Sequence, residues 1–304
     1  MKKFVPSAAG EVVLVDEELP ARRPSEVLVQ VEAVGLNQSD LIHLSRPEKR
    51  WTPGIDVVGT VIEEAADDSG PTKGSRVVGV SARGGGAAEY AALGTGHLTV
   101  LPDSLSATDA ACLPLAGITA LRLYRQAAKF KPERVLITGA GGAVGHFLTE
   151  IWARAGAEVT VVAGNGHARL TELGATVALQ RVDEVTGTFD TAYDSVGGHS
   201  FERALAATAP FGHLYWYGQS SGEPVKIDYF DLIGGPRGVT VRQFLWAAPG
   251  YSDAEDLREI VGMVQGRTLR PTVGSVRDWS EISASLAEIR ARRIRGKAVV
   301  TVGG

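Results

Sequence analysis

The chain has 304 residues, 44% hydrophobic and 22% charged, with a formal net charge of -4. That length accommodates about two domains, and the composition is that of a globular protein with a sizeable core. The acidic balance excludes attraction to nucleic acid or an anionic membrane, because phosphate-bearing partners demand a basic face.

The opening Met1–Ser7 has positive charge but no apolar run behind it, so it does not read as a signal peptide. No stretch approaches about 18 uncharged apolar residues, so no membrane span is expected, and the cytoplasm is the expected compartment. Val27-Leu-Val-Gln-Val-Glu-Ala-Val alternates in part at period two, and Val57–Glu63 and Arg76–Ser81 are similar runs. All three predict strands. The run Arg46–Arg50 is short and mixed in sign, which reads as a solvated loop. Gly84-Gly-Gly-Ala-Ala-Glu-Tyr predicts a tight turn feeding another strand. Helical periodicity is scarce here, so the first hundred or so residues predict an antiparallel β unit.

From Ser106 to Lys129 the chain is rich in Ala and Leu and predicts two helices, with Ser106 placed to cap ahead of Asp109. Cys112 is the only cysteine, which precludes an intrachain disulfide. Its apolar neighbours read it as buried filler. Beyond Arg134, strands (Val135–Thr138, Val159–Val162, Asp190–Val196, Gly212–Gly218) alternate with helices (Phe147–Ala155, Ala168–Leu173). That alternation means βαβ units and a parallel sheet. From Leu269 a short strand, a helix over Glu281–Arg290 and a strand over Ala298–Val302 are expected to pack back on the first domain. The predicted domains are 1–106 with 269–304, and 107–268.

The most informative stretch is Val135-Leu-Ile-Thr-Gly-Ala-Gly-Gly-Ala-Val-Gly-His-Phe-Leu. A buried strand enters a loop over Gly139, Ala140, Gly141, Gly142, Ala143, Val144 and Gly145, and a helix leaves it. Such glycines allow a tight turn, close approach of backbone to a pyrophosphate and close helix–strand packing. The helix N-terminus then faces the phosphates. The spacing is Ala140-x-Gly142-x-x-Gly145 rather than the strict G-x-G-x-x-G. About 20 residues on, NAD enzymes place a carboxylate on the adenosine ribose. Val161–Arg169 has none, whereas Asn165, His167 and Arg169 are suited to a 2′-phosphate. NADP is therefore favoured over NAD.

The chain resembles the medium-chain dehydrogenase/reductases, and among them the quinone oxidoreductase (zeta-crystallin-like) branch. The resemblance is carried in order by Gly35-Leu-Asn-Gln-Ser-Asp, Pro53-Gly-Ile-Asp-Val-Val-Gly-Thr-Val, Lys73-Gly-Ser-Arg-Val-Val-Gly and Gly86-Ala-Ala-Glu-Tyr. It continues through Leu113-Pro-Leu-Ala-Gly-Ile-Thr-Ala, the glycine loop, Tyr193-Asp-Ser-Val-Gly-Gly and Gly296-Lys-Ala-Val-Val. It implies an α/β protein with a GroES-like, mostly-β catalytic domain made by both chain ends. It also implies a Rossmann domain, a doubly wound parallel sheet, inserted between them, a cofactor cleft at the junction and a homodimer. Zinc members of the superfamily carry Cys where Asn37 stands and His-Glu where Ile55-Asp56 stands. A catalytic zinc takes about three protein ligands, so no zinc is expected. Ser75 replaces a usual Asp, and the segment Leu41–Thr52 is short and lacks a Tyr found in relatives, which implies an altered substrate pocket.

Without a metal to polarise it, the acceptor must already be electron-poor, such as a quinone or an α,β-unsaturated carbonyl. Preorganised donors then stabilise the charge arriving on oxygen, while the cofactor carries the redox chemistry. By position in the family motifs, Asn37, Thr119 and the Tyr217-Gly218-Gln219 turn are expected near the nicotinamide, and Lys297 is counted among the cofactor contacts. The candidate proton donors are Asp40, His43 and Tyr217, with water as the alternative source. Trp246, Tyr229, Phe230 and Phe244 are candidates for an aromatic-accepting pocket, for core or for a dimer interface. Enoyl-thioester or biosynthetic-intermediate reduction, and NADPH binding with little catalysis, are the competing functions.

Overall fold

The structure is a computed structural model and describes residues 1–7, 11–45 and 51–303. The run Arg46–Arg50 lies outside the described residues. The chain forms two compact units, residues 1–118 with 250–304, and residues 119–249.

The first unit begins with an antiparallel pair, β1 (Lys2–Pro6) and β2 (Val12–Asp16). β3 (Glu26–Leu36) is the long strand of a larger sheet, and a short helix, α1 (Gln38–Leu44), follows it directly. β4 (Asp56–Glu63), β5 (Arg76–Val80), β6 (Tyr90–Gly94) and β7 (Leu98–Val100) complete the N-terminal part. The ladders β3–β4, β4–β5, β5–β7 and β3–β6 are antiparallel, as the alternating pattern predicts. Next come α2 (Ala107–Ala110) and α3 (Pro114–Ala128). Ser106 caps α2 by accepting the Asp109 N–H at 3.1 Å.

The second unit alternates strictly. β8 (Arg134–Thr138), α4 (Ala143–Arg154), β9 (Glu158–Val162), α5 (His167–Glu172) and β10 (Val177–Leu179) form one half. β11 (Phe189–Asp194), α6 (Gly198–Ala206), β12 (Thr208–Trp216), α7 (Tyr229–Gly234) and β13 (Thr240–Gln243) form the other. The strand order is β10-β9-β8-β11-β12-β13, with every ladder parallel. In order of appearance that is 3-2-1-4-5-6, the dinucleotide-binding arrangement, whose order reverses between β8 and β11. α4 starts four residues earlier than expected, so Ala143, Val144 and Gly145 form its first turn rather than loop. β11 stops at Asp194 because that side chain folds back on the next backbone N–H groups.

The chain then returns to the first unit through α8 (Asp253–Gln265), β14 (Val273–Asp278), α9 (Ile282–Arg290) and β15 (Lys297–Thr301). β15 pairs antiparallel with β3, and β14 parallel with β15, so the C-terminal segment joins the N-terminal sheet as expected. The units' limits differ from the expected 106/107 and 268/269. α2 packs on β3, β4, β14 and β15, while α8 packs on β5 and β7, which draws both helices into the first unit.

Each unit has its own core. Val27, Val29, Val57, Val77, Ile282 and Val300 are fully enclosed in the first, and Leu136, Ala192, Phe201 and Leu214 in the second. Burying each of the Val, Leu, Ile and Phe side chains among them contributes about 1.5–3 kcal/mol. These cores hold the strand ends, from which the candidate site residues project, in fixed positions.

Candidate active site

At the reversal point of the second unit, the loop after β8 is fastened to β9 by the Ala140 N–H, which donates to the Val162 carbonyl at 3.0 Å. Gly139 has φ +64° and lies directly on the Ser195 side chain, leaving no room for a Cβ. A methyl on Gly145 would lie 2.5 Å from both Cα and O of Ala140, so only glycine lets α4 approach this closely. Gly142 is different. It is the exposed N-cap of α4, no side chain caps the helix there, and a methyl would meet nothing nearer than the Gly139 carbonyl at 3.6 Å. Packing therefore demands Gly139 and Gly145, whereas Gly142 leaves bare backbone at the positive end of a helix, a setting that fits phosphate.

The loops after β11 and β12 join this one. Asp194 accepts from Val196 N (3.1 Å) and Gly197 N (2.7 Å) on one oxygen, and from Thr138 Oγ1 (2.5 Å) and Ser200 Oγ (2.8 Å) on the other. The Ser220 and Ser221 N–H groups donate to the carbonyls of Ser195 (3.0 Å) and Val196 (2.8 Å). A methyl on Gly218 would stand 2.9 Å from the Ser195 carbonyl. Gly139, Ser195 and Gly218 therefore converge at the carboxyl ends of three neighbouring strands. Ser195 was absent from the residues singled out in the sequence, although Asp-Ser-Val-Gly-Gly at a strand end signals it. Tyr217 donates its N–H to the Asp194 carbonyl at 2.9 Å, and burial of its hydroxyl pushes the phenol above the usual tyrosine range. Thr119 is buried on α3.

Beyond the end of β9, His167 Nε2 lies 2.5 Å from the Ala163 carbonyl, and Asn165 is exposed. Arg169 Nη1 pairs with Glu172 Oε2 at 3.1 Å, one turn along α5. Glu172 is the residue that sequence reasoning overlooked here.

The first unit contains a buried charge cluster. Asp40 is 0% exposed and accepts from the N–H groups of Asn37 (2.8 Å) and Gly54 (3.0 Å). Burial pushes its carboxyl up to about 6. It braces the turn between β3 and α1. Asn37 Nδ2 donates to Asp56 Oδ2 at 3.1 Å and to the Gly35 carbonyl at 3.3 Å. Lys297 Nζ donates to both Asn37 Oδ1 and Asp56 Oδ2. The Leu115 N–H, in the first turn of α3, donates to Asp56 Oδ1 at 2.9 Å. Asp56 and Lys297 are 0% and 2% exposed, while Asn37 is half-buried. Lys297, expected among the cofactor contacts, instead turns its ammonium inward to these two acceptors. The ladders explain the meeting: Gly35 pairs with Asp56, and Leu36 with Ala298.

His43, one turn after Asp40 on α1, stacks on Trp51 with centroids 4.0 Å apart. The indole also lies against Gly84, where a methyl would lie 2.9 Å from Trp51 Cε2. In the second unit the Arg122 guanidinium covers Trp246 at 4.8 Å and donates to its carbonyl at 2.9 Å, so Trp246 braces a loop rather than lining an open aromatic pocket. Tyr229 and Phe230 are 70% and 76% exposed, which excludes them from the core. Cys112 is buried, and burial raises its thiol to about 12, as suits filler rather than a nucleophile.

An open α4 N-terminus on a 3-2-1-4-5-6 sheet, together with a separate β unit that holds a polar cluster, defines a two-domain dinucleotide-type oxidoreductase scaffold. Residues 23–103 match the family described as alcohol dehydrogenase GroES-like domain, and residues 143–265 match that described as zinc-binding dehydrogenase. The quinone oxidoreductase-like protein 2 homolog of Nematostella vectensis is 27% identical over 96% of this chain and 86% of the relative. An alcohol dehydrogenase superfamily protein of Novosphingobium aromaticivorans is 28% identical, with TM-score 0.86 over 100% of both chains. The Escherichia coli quinone oxidoreductase complexed with NADPH is 19% identical and shares the fold, with TM-score 0.87 over 99% of this chain and 100% of that one. The chain belongs to the medium-chain dehydrogenase/reductase superfamily, in its quinone oxidoreductase branch. Among the described residues no helix is long and apolar enough to cross a membrane.

Proposed function

We propose that the chain is an NADPH-dependent reductase that delivers hydride to a quinone or an α,β-unsaturated carbonyl without a metal. The observation that carries this reading is the ammonium of Lys297, which stands among the residues replacing the zinc ligands of relatives. Asn37 offers a neutral amide, Ile55 only hydrocarbon, and Asp56 a carboxylate already neutralised. These do not make the three or so donors of a catalytic zinc site, and a second cation beside a buried ammonium is repelled. The residues do not fit zinc, so the acceptor has to be electron-poor on its own.

A nicotinamide dinucleotide fits the bare backbone at Gly142, and when bound it supplies the hydride. The N–H groups opening α4 hold its phosphates. Thr119 and the Gly218 turn orient the nicotinamide end, and Asn165, His167 and Arg169 take the 2′-phosphate. Asn37 donates to the oxygen on which charge develops. Asp40 is occupied by two backbone N–H groups and Tyr217 is enclosed, so the proton comes from water. The names of the quinone oxidoreductase relatives, and the NADPH complex of the Escherichia coli protein, support this reading.

The reading includes a homodimer. All four residues of β13, an edge strand of the parallel sheet, are exposed, and exposed Tyr229, Phe230, Ile233 and Leu245 stand nearby in the chain. An open strand edge with apolar shoulders is a pairing surface, and a twofold axis makes it complementary to itself. To test the activity, purified protein is mixed with NADPH and a panel of quinones, enones and crotonyl-type thioesters, and NADPH oxidation is followed. Turnover of quinones or enones is expected. Oxidation with none of them, or thioester turnover far exceeding theirs, overturns the assignment.

A further inference from the structure

We propose that Lys297 is a positioning residue whose ammonium locks and polarises the Asn37 carboxamide as the donor to the acceptor oxygen. The inference rests on the reductase reading above and deepens it. Among Asn37, Asp40, Asp56 and Lys297, only Asn37 reaches the surface of its unit; the others are 0–2% exposed. Because the amide oxygen accepts from Lys297, the orientation of the carboxamide is set, with its nitrogen directed to Asp56 and the Gly35 carbonyl. A hydrogen bond from a cation to an amide oxygen strengthens the donors on the amide nitrogen, as linked hydrogen bonds polarise one another.

Those two donors are not held equally. The bond to Asp56 is 3.1 Å, while that to the Gly35 carbonyl is 3.3 Å, beyond the ordinary N–H···O range. The Gly35 bond is the weak one, and it is exchanged for the acceptor oxygen as negative charge gathers there. Water protonates the product oxygen. Asp56 has its own part. Anchored by Leu115 N, it accepts from the buried ammonium and fixes its position beside Asn37. Gly35 leaves the path for the lysine stem, since a methyl there would lie 2.6 Å from Lys297 Cε.

The single variant Lys297→Met strands a buried carboxylate and is expected to be unstable, so it does not decide the question. The double variant Asp56→Asn/Lys297→Met removes both charges together, and such replacements are often close to neutral for stability. It is expected to fold and bind NADPH like the wild type, with kcat lowered about 100-fold and KM changed less than about threefold. Its affinity for para-nitrophenolate, an oxyanion probe titrated without NADPH, is expected to fall about tenfold. Lys297→Arg, which retains the charge, is expected to recover part of both. Asn37→Ala, at the half-exposed position, gives a second route that leaves both buried charges in place: its kcat loss should match that of the double variant, and combining them should add little. A folded double variant with kcat and probe affinity within twofold of wild type, or an Asn37→Ala enzyme with full kcat, overturns the proposal. Wild-type turnover reports on the reductase reading, and the ratio of variant to wild type reports on Lys297.

Discussion

The ammonium of Lys297 and the carboxylate of Asp56 meet across 241 residues of chain, both shut away from water. Gly35 forms the floor of this meeting, with a methyl there lying 2.6 Å from Lys297 Cε, 3.0 Å from Asp56 Cβ and against the Ala111 carbonyl. Gly35→Ala is therefore expected to lose about 1–3 kcal/mol of stability, as overpacked cores do. The urea midpoint measures it. An unchanged midpoint would mean that the Ala111 backbone and the lysine stem both shift aside freely.

Asp40 makes stability depend on pH in an unusual direction. Burial raises its carboxyl from 3.8 to about 6, so between those values the folded chain holds a proton that the unfolded chain has released. Stability must then fall as pH rises through that window and level off above it, by up to about 3 kcal/mol for a shift of about two units. Asp67, Asp183 and Asp278, held low chiefly by Ser69, His199 and Ser280, titrate below the window. Guanidinium unfolding of wild type and Asp40→Asn between about pH 4 and 7 isolates the effect. The wild type should lose stability relative to the variant as pH rises, and parallel curves would refute the assignment.

The glycine loop separates packing from binding. Gly145→Ala pushes a methyl to 2.5 Å from the Ala140 backbone, so both fold stability and dinucleotide affinity should drop. Gly142→Ala has 3.6 Å of clearance, so the melting temperature should hold while the NADPH dissociation constant rises at least about tenfold, because the added methyl occupies the approach of the pyrophosphate. Fluorescence titration and thermal melting measure the two quantities. Equal affinity for Gly142→Ala and wild type would remove the phosphates from that spot.

What could be read in the residues was local. Buried β-branched runs, the glycine turn and the departures at Asn37 and Ile55-Asp56 are all carried by neighbouring residues, and they pointed to a β unit, a parallel-sheet unit and the turn after β8. The partner of Asp56 could not be found that way. Lys297 comes beside it only when β15 and β4 flank β3, an arrangement made by ladders and not by spacing. β13 left no signal because all four of its residues are exposed and none alternates between core and solvent. α8 did leave one: Ser252 caps an acidic first turn, and Leu257, Ile260 and Val261 recur at helical spacing. The competing reading of that stretch as part of the Rossmann domain hid its contacts with β5 and β7.

The exposed edge of β13 has a direct solution test. Phe230 is 76% exposed and stands near that edge in the chain. Phe230→Asp puts a charge where two copies would bury apolar surface, so the dimer dissociation constant should rise about 100-fold or more in sedimentation measurements, with each monomer still folded. A wild type that sediments as a monomer at all concentrations, or a variant that dimerises equally well, places the contact elsewhere.

On the proposed reading cofactor choice depends on Arg169, and its pairing with Glu172 sets the terms. The 3.1 Å contact occupies part of the guanidinium charge that a 2′-phosphate would use. Exposed pairs of this kind are worth only about 0–1 kcal/mol, whereas a hydrogen bond to a charged group is worth about 1.5–3 kcal/mol. The phosphate should therefore win the arginine, with Glu172 only reducing the gain. Arg169→Ala is expected to weaken NADPH binding about tenfold or more and leave NADH unchanged. Glu172→Gln should tighten NADPH severalfold, again without effect on NADH. Equal wild-type affinities for the two dinucleotides would end the argument for a 2′-phosphate site. An Arg169→Ala variant that still prefers NADPH would shift the recognition to Asn165 and His167.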